Sequence, residues 1–179
     1  MFGAAIAPFS TGWGEAIPGH AYVMSGNFGR LDNTIVYKTP SIYGFNVHLQ
    51  YSGSTNSAGL ENKSSSERYL AGAVTYQQGP LYVAAILDQR KLSSLPSETR
   101  TEDPLRFSAG FTYDFDVAKL FVSGQYFRDS QISVSSLNSA GFSSVQADGF
   151  GLNVGVSVNA LAGIVRADVG YMDAEDAEN

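Results

Sequence analysis

From Phe45 to Ser52 every second residue is apolar: Phe45, Val47, Leu49 and Tyr51 fall on one side of a strand, and Asn46, His48, Gln50 and Ser52 on the other. That two-residue period excludes a helix here. Residues 30–39 carry a second alternating run, and a turn containing Pro40 and Gly44 joins the two into a hairpin with one apolar and one polar face. A water-soluble sheet would pack the apolar face on a core, and a membrane barrel would turn it to lipid. The hairpin by itself fits both.

The same unit recurs downstream. Residues 69–77 and 81–88 alternate on either side of Gln78-Gly79-Pro80, residues 105–114 and 119–127 on either side of 115–118, and residues 149–158 and 163–172 on either side of 159–162. Between these hairpins run polar stretches rich in Ser, Asn and charge, at 53–68, 89–104 and 128–147. About eight strands in meander order follow, with short turns at one end and long polar loops at the other. Outer-membrane barrels have this asymmetry, with strands of roughly 9 to 11 residues, and soluble sandwiches seldom do.

Aromatic residues sharpen the choice. On the apolar face Tyr37, Phe45, Tyr76 and Tyr113 stand near the short turns, and Tyr51, Phe107, Tyr126, Phe150 and Tyr171 near the long loops. Aliphatic and small residues fill the belt between, with Phe111 a mid-strand departure. Two such bands are the girdles that amphipathic rings form at membrane interfaces. The opposite face carries Arg106, Lys119, Arg166, Asp88, Asp114 and Asp168 among small polar residues, so it is no dry core. It is either the wall of a water-filled lumen or the solvent face of a soluble β-protein.

Composition removes other classes. No run approaches the ~20 apolar residues of a membrane helix, so strands would do any crossing. Net charge of −6, with no Lys/Arg stripe, argues against a nucleic-acid partner. With 0 cysteines, disulfides, zinc ribbons and thiol catalysis are removed together. His20 and His48 have no G-x-S-x-G or H-x-x-x-H context, and no carboxylates have EF-hand spacing. The chain is expected to be no enzyme and to use no cofactor and no metal. Its first 20 residues lack the basic and continuous apolar regions of a signal peptide, so an exported protein starting here is expected to be a mature chain or a fragment.

Arg30-Leu31-Asp32-Asn33-Thr34-Ile35-Val36-Tyr37-Lys38-Thr39-Pro40-Ser41, followed by Tyr43-Gly44-Phe45, resembles the R-x-D-N-S-I-x-Y-x-S-P-x-F-x-G-F segment of general Gram-negative porins of the trimeric β-proteobacterial type. Gly79-Pro80-Leu81 and Tyr113-Asp114-Phe115 with Lys119-Leu120-Phe121 are similar to that family in the same order. The resemblance implies an all-β transmembrane barrel, an antiparallel up-and-down meander contributing about eight of roughly 16 strands. It also implies a homotrimer in the outer membrane, in contact with its lipid, that conducts ions and small hydrophilic solutes passively. Residues 1–29 match the place of the loop that folds into the pore as a constriction, 30–172 the barrel strands, and 173–179 the start of an external loop. The family's terminal strands have no counterpart, so an internal fragment is expected.

A pore needs fixed charges at its wall, not catalytic groups. The candidates are Glu15, Arg30, Lys38, His48 and Arg106, with Lys119, Arg166, Asp88, Asp114 and Asp168. Arg166 and Asp168 share a face and make a plausible lumen pair, and Arg30 is placed to face Glu15. Two alternatives stay open. One is a soluble β-sandwich binding module whose aromatic bands are core and contacts. The other is a sugar-selective channel, which would want an inward aromatic track drawn from Tyr69, Tyr82, Phe121 and Phe127.

Overall fold

A computed structural model describes residues 5–8, 31–55, 66–91, 102–131, 146–160 and 163–176. The strands are β1 (Thr34–Lys38), β2 (Phe45–Ser52), β3 (Arg68–Gln78), β4 (Leu81–Lys91), β5 (Leu105–Asp114), β6 (Ala118–Gln131), β7 (Gln146–Ala160) and β8 (Gly163–Asp176). They form one sheet in the order β1-β2-β3-β4-β5-β6-β7-β8, each antiparallel to the next. The fold is the all-β meander that the alternation predicts, and among the described residues its two edge strands do not meet. No described helix is long and apolar enough to cross a membrane.

Turn chemistry sets the short-turn registers. Tyr43 (φ 51°) and Gly44 (φ 87°) are both left-handed between Ile42 and Phe45, whose backbones exchange two 2.9 Å hydrogen bonds. Two positive φ values make this the I′ turn whose twist matches the strands it joins. Gly44 is needed twice, because a Cβ there would also stand 2.7 Å from the Gln77 carbonyl oxygen. Between β3 and β4, Gly79 (φ 55°) precedes Pro80, and Gln78 pairs with Leu81. At the β5–β6 turn, Asp116 (φ 69°) donates its backbone N–H to Asp114 Oδ1 at 3.0 Å.

At the long-loop end the strands outrun the alternation. β6, β7 and β8 have 14, 15 and 14 residues, against the 10 of β5. Residues 173–176, expected in a loop, are strand, paired with Ala147, Asp148, Gly149 and Phe150. Side-chain alternation stops at Met172 because nothing beyond the aromatic band has an apolar medium to face, while backbone pairing continues. β6 also carries a bulge, with the register shifting between Phe127 and Ser130; there Asp129 (φ 49°) donates its N–H to Asp148 Oδ1 at 2.7 Å.

The exposure pattern is the reverse of a soluble sheet. Leu49, Leu152 and Val154 are 51%, 52% and 45% exposed, while Ser52, Thr112 and Asn153 on the polar face are 0%, 1% and 1% exposed. The apolar face therefore has no core beneath it, and its area far exceeds what a soluble monomer leaves bare. Both aromatic bands form. The Phe45 and Tyr76 rings pack tilted by 40° with centroids 4.5 Å apart, and Phe107, Tyr126 and Phe150 are successive cross-strand partners, with the Tyr171 ring centroid 6.2 Å from that of Phe150.

The bands also resolve the odd position of Phe111. The hydrogen-bonded row through Phe45, Tyr76 and Val83 reaches β5 at Phe111, two residues short of Tyr113. The row through Tyr51, Leu70 and Gln89 reaches β5 at Leu105, two residues short of Phe107. Both bands thus step the same way, toward the short turns, between β3 and β5. Strands tilted across a membrane require this, because rows perpendicular to them then run obliquely to the interfaces.

Candidate functional site

The polar face is the candidate wall of a channel. Strand alternation delivers one side chain in two to this face, and register decides which of them meet. Asp88 on β4 and Arg106 on β5 are direct cross-strand partners. Arg106 Nε and Nη2 both donate to Asp88 Oδ1, at 2.8 and 2.6 Å, and the side chains are only 17% and 9% exposed. The Tyr69 hydroxyl joins both partners by hydrogen bonds. These two candidate wall charges therefore satisfy each other. A second pair, Arg90 with Glu67, also takes in Thr55, whose hydroxyl donates to Glu67 Oε2 at 3.3 Å.

The other candidates separate by environment. His48 is buried, with Nε2 3.1 Å from Thr75 Oγ1, while Lys38, its cross-strand neighbour on β1, is exposed. Asp114 caps the β5–β6 turn and is exposed. Lys119 lies opposite Asp114 across the turn without an ion pair among the described residues; its Nζ sits 5.5 Å from the centre of the Phe121 ring. Arg166 is exposed on β8, and Asp168, two residues on, has a covered Oδ2 with no hydrogen-bond partner. No ion pair joins Arg166 to Asp168 among the described residues. Glu15 and Arg30 lie outside the described residues, as does most of the expected loop 1–29.

Residues 5–8 are described, and they rest on the polar face. Ile6 and Ala7 are 6% and 5% exposed. Ile6 lies over Gly110 of β5, where a Cβ would be 2.9 Å from Ile6 Cδ1 and 3.0 Å from Ser123 Cβ. Pro8 lies over Gly155 of β7, where a Cβ would be 2.5 Å from Pro8 Cγ. The alternation places both glycines on this face but carries no sign of what covers them.

Between this segment and the short-turn end of the sheet is a cleft of about 460 Å³, whose lining includes Lys119, Arg166, Gln77, Tyr82 and Ser157 but no carboxylate among the described residues. Register brings the two cations there. Arg166 pairs with Ser157 and Ser157 with Lys119, so they stand two strand spacings apart, about 10 Å. Of the inward aromatics, Phe121 and Phe127 are 6% and 0% exposed. Only Tyr69 and Tyr82 keep partial exposure, which leaves no continuous aromatic track among the described residues.

Comparisons with known proteins agree with this geometry. Residues 105–114, for instance, alternate as a barrel wall does, and they fall within a match to a family model described as Gram-negative porin that spans residues 2–179. An outer membrane porin protein of Bordetella pertussis (strain Tohama I) is 33% identical over 123 residues, which is 64% of this chain and 32% of that protein. The aligned part thus spans about a third of the length of that curated relative. No solved structure matches. With an apolar face turned outward, a charged face turned inward, two aromatic bands and a family match along nearly its whole length, the chain belongs to the Gram-negative porin family and is a β-strand protein of the outer membrane.

Proposed function

We propose that the complete protein forms a water-filled channel through which ions and small hydrophilic solutes diffuse passively. The observation that carries this reading is the inverted sheet: apolar residues bare on one side, and charged and amide residues gathered on the other. Lipid suits the first face and water the second, and a barrel is the closure that gives each its medium. A homotrimer is part of the proposal, as the resemblance implies. Addition of the purified complete polypeptide to a planar lipid bilayer is expected to give stepwise, ohmic conductance increments. Folded protein that gives no steps overturns the reading. Chemical cross-linking in detergent, with a ladder ending at three subunits, tests the assembly.

The wall charges give this channel a sign at its short-turn end. Asp88 with Arg106, and Glu67 with Arg90, neutralise each other, whereas Lys119 and Arg166 share a cleft with no carboxylate among its described lining residues, Asp114 and Asp116 lying in the adjoining cleft that Lys119 also borders. In water-like medium a unit charge at 5 Å favours a counter-ion by about 0.8 kcal/mol, roughly fourfold, and less as salt rises. Lys119→Glu with Arg166→Glu is therefore expected to shift the reversal potential under a salt gradient toward cations, most strongly at low salt. An unchanged reversal potential in a conducting double variant removes this pair from selectivity.

A further inference from the structure

We propose that Gly110 and Gly155 form a two-point notch in the inner wall that seats residues 5–8, and that this seat sets how far the segment stands into the water path. The inference rests on the channel reading above and assigns to it two positioning residues that carry no charge and touch no solute.

The argument begins with what an inward strand position normally presents. Every such position with a Cβ raises the wall by at least one methyl group, so a segment lying on the wall must ride over a ridge. Under residues 5–8 the ridge is missing at two places. Gly110 belongs to β5 and Gly155 to β7, with β6 between them, so the segment crosses three adjacent strands. Ser123, the β6 partner of Gly110, is also small. Ile6 occupies the first gap and Pro8 the second.

The contacts are too close to be incidental. A Cβ at Gly155 would stand 2.5 Å from Pro8 Cγ and 2.9 Å from Pro8 Cδ. A Cβ at Gly110 would stand 2.9 Å from Ile6 Cδ1, with the Val122 carbonyl oxygen at 2.8 Å behind it. Ordinary carbon–carbon contacts lie near 3.5 to 4.0 Å, so an alanine at Gly155 would require the segment to withdraw by about 1 to 1.5 Å. The two points differ in stiffness: Pro8 is a closed ring that cannot turn aside, whereas at Gly110 the Val122 oxygen is wall backbone inside a paired strand and Ile6 Cδ1 is the end of a side chain that can rotate, so Gly155 is the firmer point of the seat. The wall is fixed by β6 pairing on both sides, so withdrawal is toward the lumen. Both glycines have ordinary strand φ values, since neither is among the positive-φ residues. Space, not backbone conformation, is what demands glycine here.

Single-channel recording in planar bilayers tests this on the complete polypeptide with Gly155→Ala, Gly155→Val and Gly110→Ala. The expected result is a graded loss of conductance, wild type above Gly155→Ala above Gly155→Val. Gly72→Ala is the control, because a Cβ there meets only Leu49 Cδ2 at 3.8 Å on the apolar face; it is expected to leave conductance unchanged. Wild-type conductance from correctly assembled Gly155→Ala and Gly110→Ala overturns the inference.

A second measurement does not depend on conduction or on those variants folding. Pro8 Cγ is one bond from Pro8 Cβ, so a Cβ at residue 155 would lie within about 4.0 Å of it, inside disulfide range. The chain has no cysteine of its own. Pro8→Cys with Gly155→Cys is therefore expected to cross-link on mild oxidation, read as a mobility shift reversed by reductant. Failure to cross-link in folded protein overturns the seat. The two failures are separable: a wild type without channels sinks the channel reading, whereas a conducting wild type with unaltered glycine variants sinks only the notch.

Discussion

Arg106→Ala is expected to destabilise the folded protein by about 3–5 kcal/mol, the usual result of stripping a covered carboxylate of its partner. Asp88 is 9% exposed at its side chain and receives two hydrogen bonds from the one guanidinium. Alanine removes both and supplies neither charge nor donor. The Tyr69 hydroxyl then remains as a neutral donor to a carboxylate that has lost its ion-pair partner. Adding Asp88→Asn is expected to recover most of the loss, because the group left behind no longer carries charge. Urea midpoints of the refolded protein in lipid vesicles, taken as a double-mutant cycle, measure this. A single variant as stable as wild type would mean that lumen water already solvates the pair. The same cycle bears on function: because Asp88 and Arg106 neutralise each other, the stable double variant is expected to keep its ion selectivity.

Leu49→Arg is expected to cost about 2–4 kcal/mol, with the neighbouring Gln50→Arg close to neutral. Leu49 lies on the outward face of β2, 51% exposed, between the aromatic positions Phe45 and Tyr51. Gln50 is its neighbour on the opposite face, beside Val36 and Ala71. In lipid the introduced guanidinium must snorkel or drag water with it, while one residue on it reaches water directly. A soluble sheet would behave differently, since a half-exposed leucine replaced by arginine gains hydration at no cost. The two readings thus differ in the sign as well as the size of the Leu49 effect. Detergent-free refolding yield into vesicles, followed by heat-modifiable gel mobility, distinguishes them. Equal yields for the two arginines would contradict the outward assignment of the apolar face.

Much of this architecture was legible because strand period and turn chemistry are local. Alternation along residues 45–52 and 105–114 needs no knowledge of partners, and the faces it assigns are the faces observed. Short turns carry register with them. Once Gly79-Pro80 is a two-residue turn, Ala71 opposite Asp88 follows by counting. Likewise Asp114 falls opposite Lys119 across a turn of known length. Counting fails across the long loops, whose lengths do not specify which residues pair beyond them. Asp88 opposite Arg106 lies across one such loop, and Ser157 opposite Lys119 across another loop and the β6 bulge that precedes it. The ion pair and the two-cation cleft were therefore present in the sequence as unassociated charges.

What the sequence determined by itself was the kind of object: a meander of two-faced strands, its aromatic bands, its short-turn end and its long-loop end. Each of these follows from residues a few positions apart, where covalent geometry enforces the relation. Tertiary structure alone decided which charges cancel, which stand apart from a carboxylate among the described residues, and what lies over Gly110 and Gly155. Those facts depend on contacts between residues separated by a loop or by more than a hundred positions, from Ile6 to Gly110 and from Pro8 to Gly155. Such contacts exist only once the sheet has put three strands side by side and a distant segment has been laid across them.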